Sequence, residues 1–207
     1  MRLVFSAFYL VAACSAADWV SIQPDSSFKG WTRGPLPPAA TLDAATQWSV
    51  SSKDGDLICD GAKEKGHEWL RYDRELKDFV LHVEWRFRPI PGETKYNSGV
   101  FVRNSANGAV WYQAQVGPPA NGGYFFSGVD EGEKKRVNYK SQMKASAVKD
   151  PGEWNTYEIR AEGKNVTLFV NGTETSSFEC DRLSGYLGLE AEHYHIEFRN
   201  IKLKELP

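Results

Sequence analysis

An all-β, two-sheet sandwich of the jelly-roll kind is the fold this sequence predicts, on three observations. Apolar and polar residues alternate at a period of two in several short runs; Gly, Asn, Asp and Pro punctuate those runs; and no stretch keeps a helical period beyond a turn or two. The composition agrees, with seven Trp, nine Tyr and eleven Phe in 207 residues. That length suits one domain able to bury a core without disulfide staples. A formal charge of only −2 argues against nucleic acid or an anionic surface as the partner.

Residues 1–17 read as an address. Met1 and Arg2 give a positive start, Leu3 to Ala13 is an apolar run too short to span a bilayer, and Cys14-Ser15-Ala16-Ala17 offers small-residue cleavage chemistry. Cleavage after Ala16 or Ala17 competes with cleavage before Cys14 and lipidation of its thiol, since Val11-Ala12-Ala13-Cys14 approximates a bacterial lipoprotein box. Either route predicts export, to the periplasm, the outer envelope or the exterior, with residues 18–207 as a single domain. Cys59 and Cys180 then remain in separate strand-like runs. Whether they pair is left open by the sequence, because a bridge needs Cα atoms within about 7 Å. No C-x-x-C or H-x-x-x-H spacing supports structural zinc.

The elements follow in order. Phe28 to Trp31 precedes a loop rich in Pro and Ala between Gly34 and Ala45, after which Trp48 to Val50 and Leu57 to Cys59 are short strands around an Asp54-Gly55 turn. Phe79 to Phe87 is the clearest strand. Phe79, Leu81, Val83, Trp85 and Phe87 share one face, and His82, Glu84 and Arg86 the other. Val100 and Val102 alternate with Phe101 and Arg103, and Trp111, Gln113 and Gln115 with Tyr112, Ala114 and Val116. Crowded charges from Asp130 to Lys140 predict a mobile loop. Trp154 to Ala161 and Asn165 to Val170 flank Glu162-Gly163-Lys164, and Asn171-Gly172 predicts a hairpin turn with both residues at positive φ.

Several of these strands place ionisable or amide groups on what should be packed sheet, a pattern suited to a polar ligand. Glu190 and Glu192 fall on one face of a strand, about 6 to 7 Å apart, where mutual repulsion raises one pKa and lets the pair divide acid and base roles. His193, Tyr194 and His195 enrich the neighbourhood. Glu84 and Arg86 either pair with each other or meet ligand hydroxyls. Arg103 either offers a planar donor fork to vicinal oxygens or is a buried arginine paired with Glu84 or Glu192; Gln113 and Gln115 are neutral partners for sugar hydroxyls, and His67 reads as incidental at a loop edge. There is no G-x-S-x-G elbow and no phosphate-binding glycine loop, nor the E-x-D-x-E string of the sandwich glucanases.

Taken together, Phe28-x-Gly30-Trp31, Asp78-Phe79 leading to Glu84-Trp85-Arg86, NSGVFVR at 97–103, Tyr112-x-x-Gln115, Gly152-x-Trp154-Asn155, Val170-Asn171-Gly172, Gly188-Leu189-x-x-Glu192 and Phe198-Arg199-Asn200-Ile201 resemble the 3-keto-disaccharide hydrolase family, also described as 3-keto-glucoside 1,2-lyase and 3-keto-2-hydroxyglucal hydratase. The resemblance spans nearly the whole chain after residue 17. It implies a concanavalin A-like sandwich that cleaves 3-keto-glycosides by C2 proton abstraction, elimination and hydration. Glu84, Glu192, Arg103 and His193 are then the catalytic candidates, and Arg86, Asn97, Gln113, Gln115 and Glu190 the substrate-binding ones. No cofactor is implied, a divalent cation being left open, and the oligomeric state is not indicated. The chain departs from the family pattern in carrying an amide at Gln113, where a glutamate is common, and a carboxylate at Glu190, where a glutamine is common; His193 stands where glycine is usual. Glu190 compensates for Gln113 if both side chains face one cavity. A noncatalytic lectin-like carbohydrate-binding module of the cell envelope is the alternative.

Overall fold

The computed structural model describes residues 18–61 and 66–207; the leader-like segment 1–17, with Cys14, lies outside them. Among the described residues fifteen strands run in chain order: β1 (Val20–Ser21), β2 (Trp31–Pro35), β3 (Trp48–Val50), β4 (Leu57–Cys59), β5 (Glu68–Tyr72), β6 (Phe79–Phe87), β7 (Ser98–Asn104), β8 (Val110–Val116), β9 (Phe125–Val129), β10 (Lys135–Asn138), β11 (Asn155–Glu162), β12 (Asn165–Val170), β13 (Thr173–Glu179), β14 (Tyr186–Ala191) and β15 (Ile196–Glu205). The helical geometry among the described residues is one 3-10 turn, Lys140–Gln142.

Alternation decides the layers. In β6 the side chains of Phe79, Leu81, Val83, Trp85 and Phe87 are all buried in one core with Val100, Val102, Ala114 and Val116 from β7 and β8 and Leu187, Leu189 and Ala191 from β14, while His82, Glu84 and Arg86 stay half-buried on the far side. Two antiparallel sheets close on that core. The back sheet runs β13-β12-β11-β6-β15-β4-β3, with β1 also on β15; the front sheet runs β10-β9-β8-β7-β14-β5-β2. Burying this much aromatic and aliphatic surface at about 25 cal/mol per Å² is what drives the two layers together.

The Asn171-Gly172 turn is as the sequence predicts. Val170 pairs with Thr173, and the two turn residues have φ of 49° and 83°, the positive values a two-residue hairpin of this hand requires. The charged stretch after Asp130 differs from expectation. Residues 135–138 form β10, because Lys135 to Asn138 find four ladder partners on β9 and hydrogen bonding of the backbone does not depend on an apolar side-chain pattern. Cys59 and Cys180 are buried thiols, not bridged to each other.

Candidate active site

The chemistry gathers on the outer face of the front sheet. On β14, Leu187, Leu189 and Ala191 point into the core, so period two turns Glu190 outward and carries Glu192, just past the strand, to the same side. On β8 the inward residues are Tyr112, Ala114 and Val116, leaving Trp111, Gln113 and Gln115 outward. Strand β7 lies between them, pairing with both. Side chains two strands apart are separated by about 9 to 10 Å of sheet, yet Gln113 Nε2 donates directly to Glu190 Oε2. Gly99 on β7 makes that possible. A Cβ there would stand 1.8 Å from Gln113 Nε2, so the amide lies in the space that any larger residue would fill. Gln113 and Glu190 therefore share one site.

His67, the residue before β5, joins them: its Nε2 is 2.7 Å from Glu190 Oε1. Glu190 is 5% exposed and His67 33%, so one partner is desolvated and the other remains reachable. Asn97 Nδ2 donates to Glu192 Oε2, and Gln115 Nε2 donates to Asn97 Oδ1 at 2.5 Å. Beside this cluster is a cavity of about 220 Å³ lined by Leu36, Pro37, Phe101 and Trp111, with Asp130, Lys134 and Arg136 among its polar residues and His67, Gln113 and Glu190 contributing the polar groups of the site. Its aromatic floor is ordered by edge-on packing of Trp69 on Phe101 and Phe101 on Trp111, and Trp111 Nε1 donates to Asp130 Oδ2 at 2.8 Å.

Two titrations are displaced. Burial, then the negative charge of Glu190, push the Glu192 carboxyl up to about 7, against the opposing pull of His67 and the Asn97 hydrogen bond. Burial alone would lower the His67 imidazole, but the hydrogen bond and charge of Glu190, with Glu192 and Asp130 behind it, raise it above its ordinary value. The result is a proton-accepting carboxyl poised near neutrality next to an imidazole favoured in its protonated form.

His67, Glu190 and Glu192 each bring one ligand-type atom within 4.8 Å of the others, so among the described residues these are the ones a divalent cation could gather. The 2.7 Å between His67 and Glu190 is the distance of a shared proton.

The structure thus brings together Asn97, Gln113, Gln115, Glu190 and Glu192, and adds His67. It separates the other candidates. Glu84 is on β6 in the back sheet, where Arg199 Nε and Asn200 Nδ2 donate to it at 2.7 and 2.8 Å. Arg86, also there, donates to Glu197 and lies 4.5 Å over the Trp154 ring. Alternation identified their polar face correctly, but a sandwich has two such faces and the period cannot say which sheet a strand joins. Arg103 is 0% exposed. Its φ of 53°, at a break in the β7–β14 register, ends the regular pleat and turns the guanidinium inward. There it donates to Gly163 O, Arg182 O, Lys77 O and Asp78 Oδ1. Glu84 and Arg103, named with Glu192 as catalytic candidates, therefore do not converge with it on one face. His193, at φ 62°, is exposed on the turn after Glu192. His67 reads as incidental in the sequence because its partner is 123 positions away; its place two residues before Trp69, on the outward side of a strand, is the one signal that points to the site.

Residues 18–204 match the model of the 3-keto-alpha-glucoside-1,2-lyase-like domain. The chain belongs to that family. Membership puts it among carbohydrate-active proteins, and the two-sheet lectin-like jelly roll recurs in its structural relatives. One is a structure from Parabacteroides distasonis ATCC 8503 described as a candidate glycosyl hydrolase, 17% identical, covering 91% of this chain and 94% of that one with a TM-score of 0.64. The carbohydrate-binding module CBM66 from Bacillus subtilis is 14% identical, with 85% and 96% coverage and a TM-score of 0.60. Basic winged bean lectin, solved with Tn-antigen, is 12% identical over 90% and 97%, at 0.54. No curated protein matches this chain.

Proposed function

We propose that this protein cleaves 3-keto-glycosides, with Glu192 as the base and protonated His67, held by Glu190, as the acid. A ketone at C3 acidifies the C2 hydrogen. Glu192 takes that proton, the C2–H electrons form an enolate on the C3 oxygen, and the enolate collapses to restore the ketone, form the C1–C2 double bond and expel the aglycone oxygen from C1. His67 supplies the proton that oxygen needs. Water then adds across the double bond, its oxygen to C1 and a proton to C2, and releases the 3-keto sugar. Base and acid groups with pKa near the working pH are the efficient ones for such transfers.

The observation that carries this proposal is the Glu192, Glu190 and His67 triplet, with donor and acceptor atoms within 4.8 Å of one another, beside a cavity able to seat a ring. A binding-only module needs no desolvated carboxyl and offers exposed aromatic platforms instead; on this face Trp69 and Trp111 are buried. Export is part of the same proposal and rests on the leader-like character of residues 1–17.

The test is incubation with a 3-keto-glucoside and with its parent glucoside in deuterated water. Cleavage of the keto compound alone, with solvent deuterium at C2 of the released sugar, is the expected result, and Glu192→Gln should lower turnover by about 10²-fold or more. Equal cleavage of the parent, or release without deuterium at C2, would overturn it.

A further inference from the structure

The proposed base is held by an amide whose orientation is decided two residues away. Backbone carbonyls can only accept hydrogen bonds. The Gln115 side chain reaches two of them, Ser98 O and Val116 O, both 3.2 Å from its Nε2, so that end of the amide must be the NH₂ group. Its Oε1 is correspondingly turned away. The same NH₂ meets Asn97 Oδ1, which fixes the Asn97 amide in turn and points its Nδ2 hydrogens at Glu192. Ser98 orders the neighbouring pair as well. Its carbonyl is 3.4 Å from Gln113 Nε2, the group that donates to Glu190, and its hydroxyl donates to Glu190 O at 2.8 Å.

We infer that Gln115 is a positioning residue acting through Asn97: the relay from Ser98 O through Gln115 and Asn97 presents Glu192 with a donor, and so holds it as an accepting carboxylate. This rests on Glu192 being the group that takes the proton. It also removes Gln115 from the set of sugar-hydroxyl donors, since its NH₂ is occupied by three acceptors inside the protein. Gln115 is well placed to hold polarity. It is buried, its carbonyl accepts from Tyr157 Oη at 2.6 Å and from Gly123 N at 2.9 Å, and its N–H donates to Tyr124 O at 2.8 Å, so the residue is clamped on both sides of its backbone. Glu192 also faces Glu190 from β14 and His67 from ahead of β5, and Tyr194 from the turn beyond it. Those charges act through space whichever way an amide points. The relay acts only through orientation.

Without the Gln115 NH₂, Asn97 can rotate and offer its Oδ1 to Glu192, which favours the protonated acid. The measurement is the carboxyl titration of Glu192, followed by carbon NMR of glutamate-labelled protein and assigned by the signal missing from Glu192→Gln. In Gln115→Met, close in shape but with no donor, the midpoint should rise by about one pH unit, the size of one hydrogen bond to a charged group gained or lost. Asn97→Leu should raise it similarly, and the double variant should add nothing further. In the unaltered protein, the Asn97 side-chain amide protons should shift at the Glu192 midpoint, a readout that survives even if Gln115→Met does not fold. An unmoved midpoint in Gln115→Met, additive effects in the double variant, or Asn97 protons blind to the titration would overturn the relay. None of these readouts needs a substrate, so a failure of the keto-glycoside assay is distinguishable from a failure of this inference.

Discussion

His67 Nε2 and Glu190 Oε1 lie 2.7 Å apart although 123 positions separate them in the chain. The contact ties the entry to β5 to the last residues of β14, and it gives Glu192 a cation close enough to pull its carboxyl down while Glu190 pushes it up.

Removing that cation has a signed consequence. In His67→Ala the Glu192 carboxyl loses an attractive charge, so its midpoint should climb above about 7. The acid limb of kcat/KM against pH should move to higher pH, with turnover lowered by about 10²-fold through loss of the proton donor. A rate profile that falls without moving along the pH axis would leave His67 a merely packing residue.

Stability should respond to Glu192 in the opposite sense from activity. Its folded-state value, about 7, stands above the ordinary 4.5, so the protonated carboxyl favours the native state at acid pH and that contribution is lost as pH rises through 7. Glu192→Gln, permanently neutral, should therefore be more stable than the parent at pH 8, on the order of 2–3 kcal/mol, and indistinguishable from it near pH 4. Urea midpoints for both proteins across that range measure the difference directly.

Gly99→Ala should spare the fold and break the site. The added methyl overlaps Gln113 at Nε2, Cδ and Cγ, 1.8, 2.4 and 2.5 Å away, so the whole side chain, not only its tip, must turn out of the site and Glu190 loses its donor. We expect an unchanged circular dichroism spectrum and a Tm within a few degrees of the parent, together with a fall in kcat of about tenfold or more, the cost of one donor to a charged group. Retained kcat would show that the Gln113 contact is dispensable.

Arg103 is expected to behave as structure. Its guanidinium joins three carbonyls and Asp78 at the far end of the front sheet, so Arg103→Ala leaves buried acceptors unanswered and should cost about 3–5 kcal/mol. Any surviving folded enzyme should keep the parental pH profile, because Arg103 does not touch the triplet.

Chelation separates a proton-sharing triplet from a metal centre. Because the proposed cleavage moves its protons through Glu192 and His67 alone, prolonged EDTA treatment should leave turnover intact. Loss of activity that one divalent ion restores would recast His67, Glu190 and Glu192 as its ligands.

Much of the fold could be read in advance because a strand announces itself through alternation. The inward row of β6 and the positive-φ turn at Asn171-Gly172 are both local properties of a few adjacent residues. The site was legible where it obeys the same rule: Glu190 with Glu192, and Gln113 with Gln115, share a face by counting in twos. What counting could not supply was adjacency between strands. It left Glu84 on the wrong sheet, made His67 look incidental, and failed at Arg103, where positive φ interrupts the pleat. Gly99 shows the limit from the other side, since a residue with no side chain decides which two side chains can meet.

Cys59 on β4 and Cys180, just past β13, place two sulfurs inside the same closed core. A thiol reagent in solution can reach either one only when the packing around it opens, so the rate of labelling is a clock for that opening. Saturating the front face with a ligand should slow that clock, which gives a way to detect occupancy before any reaction has been found.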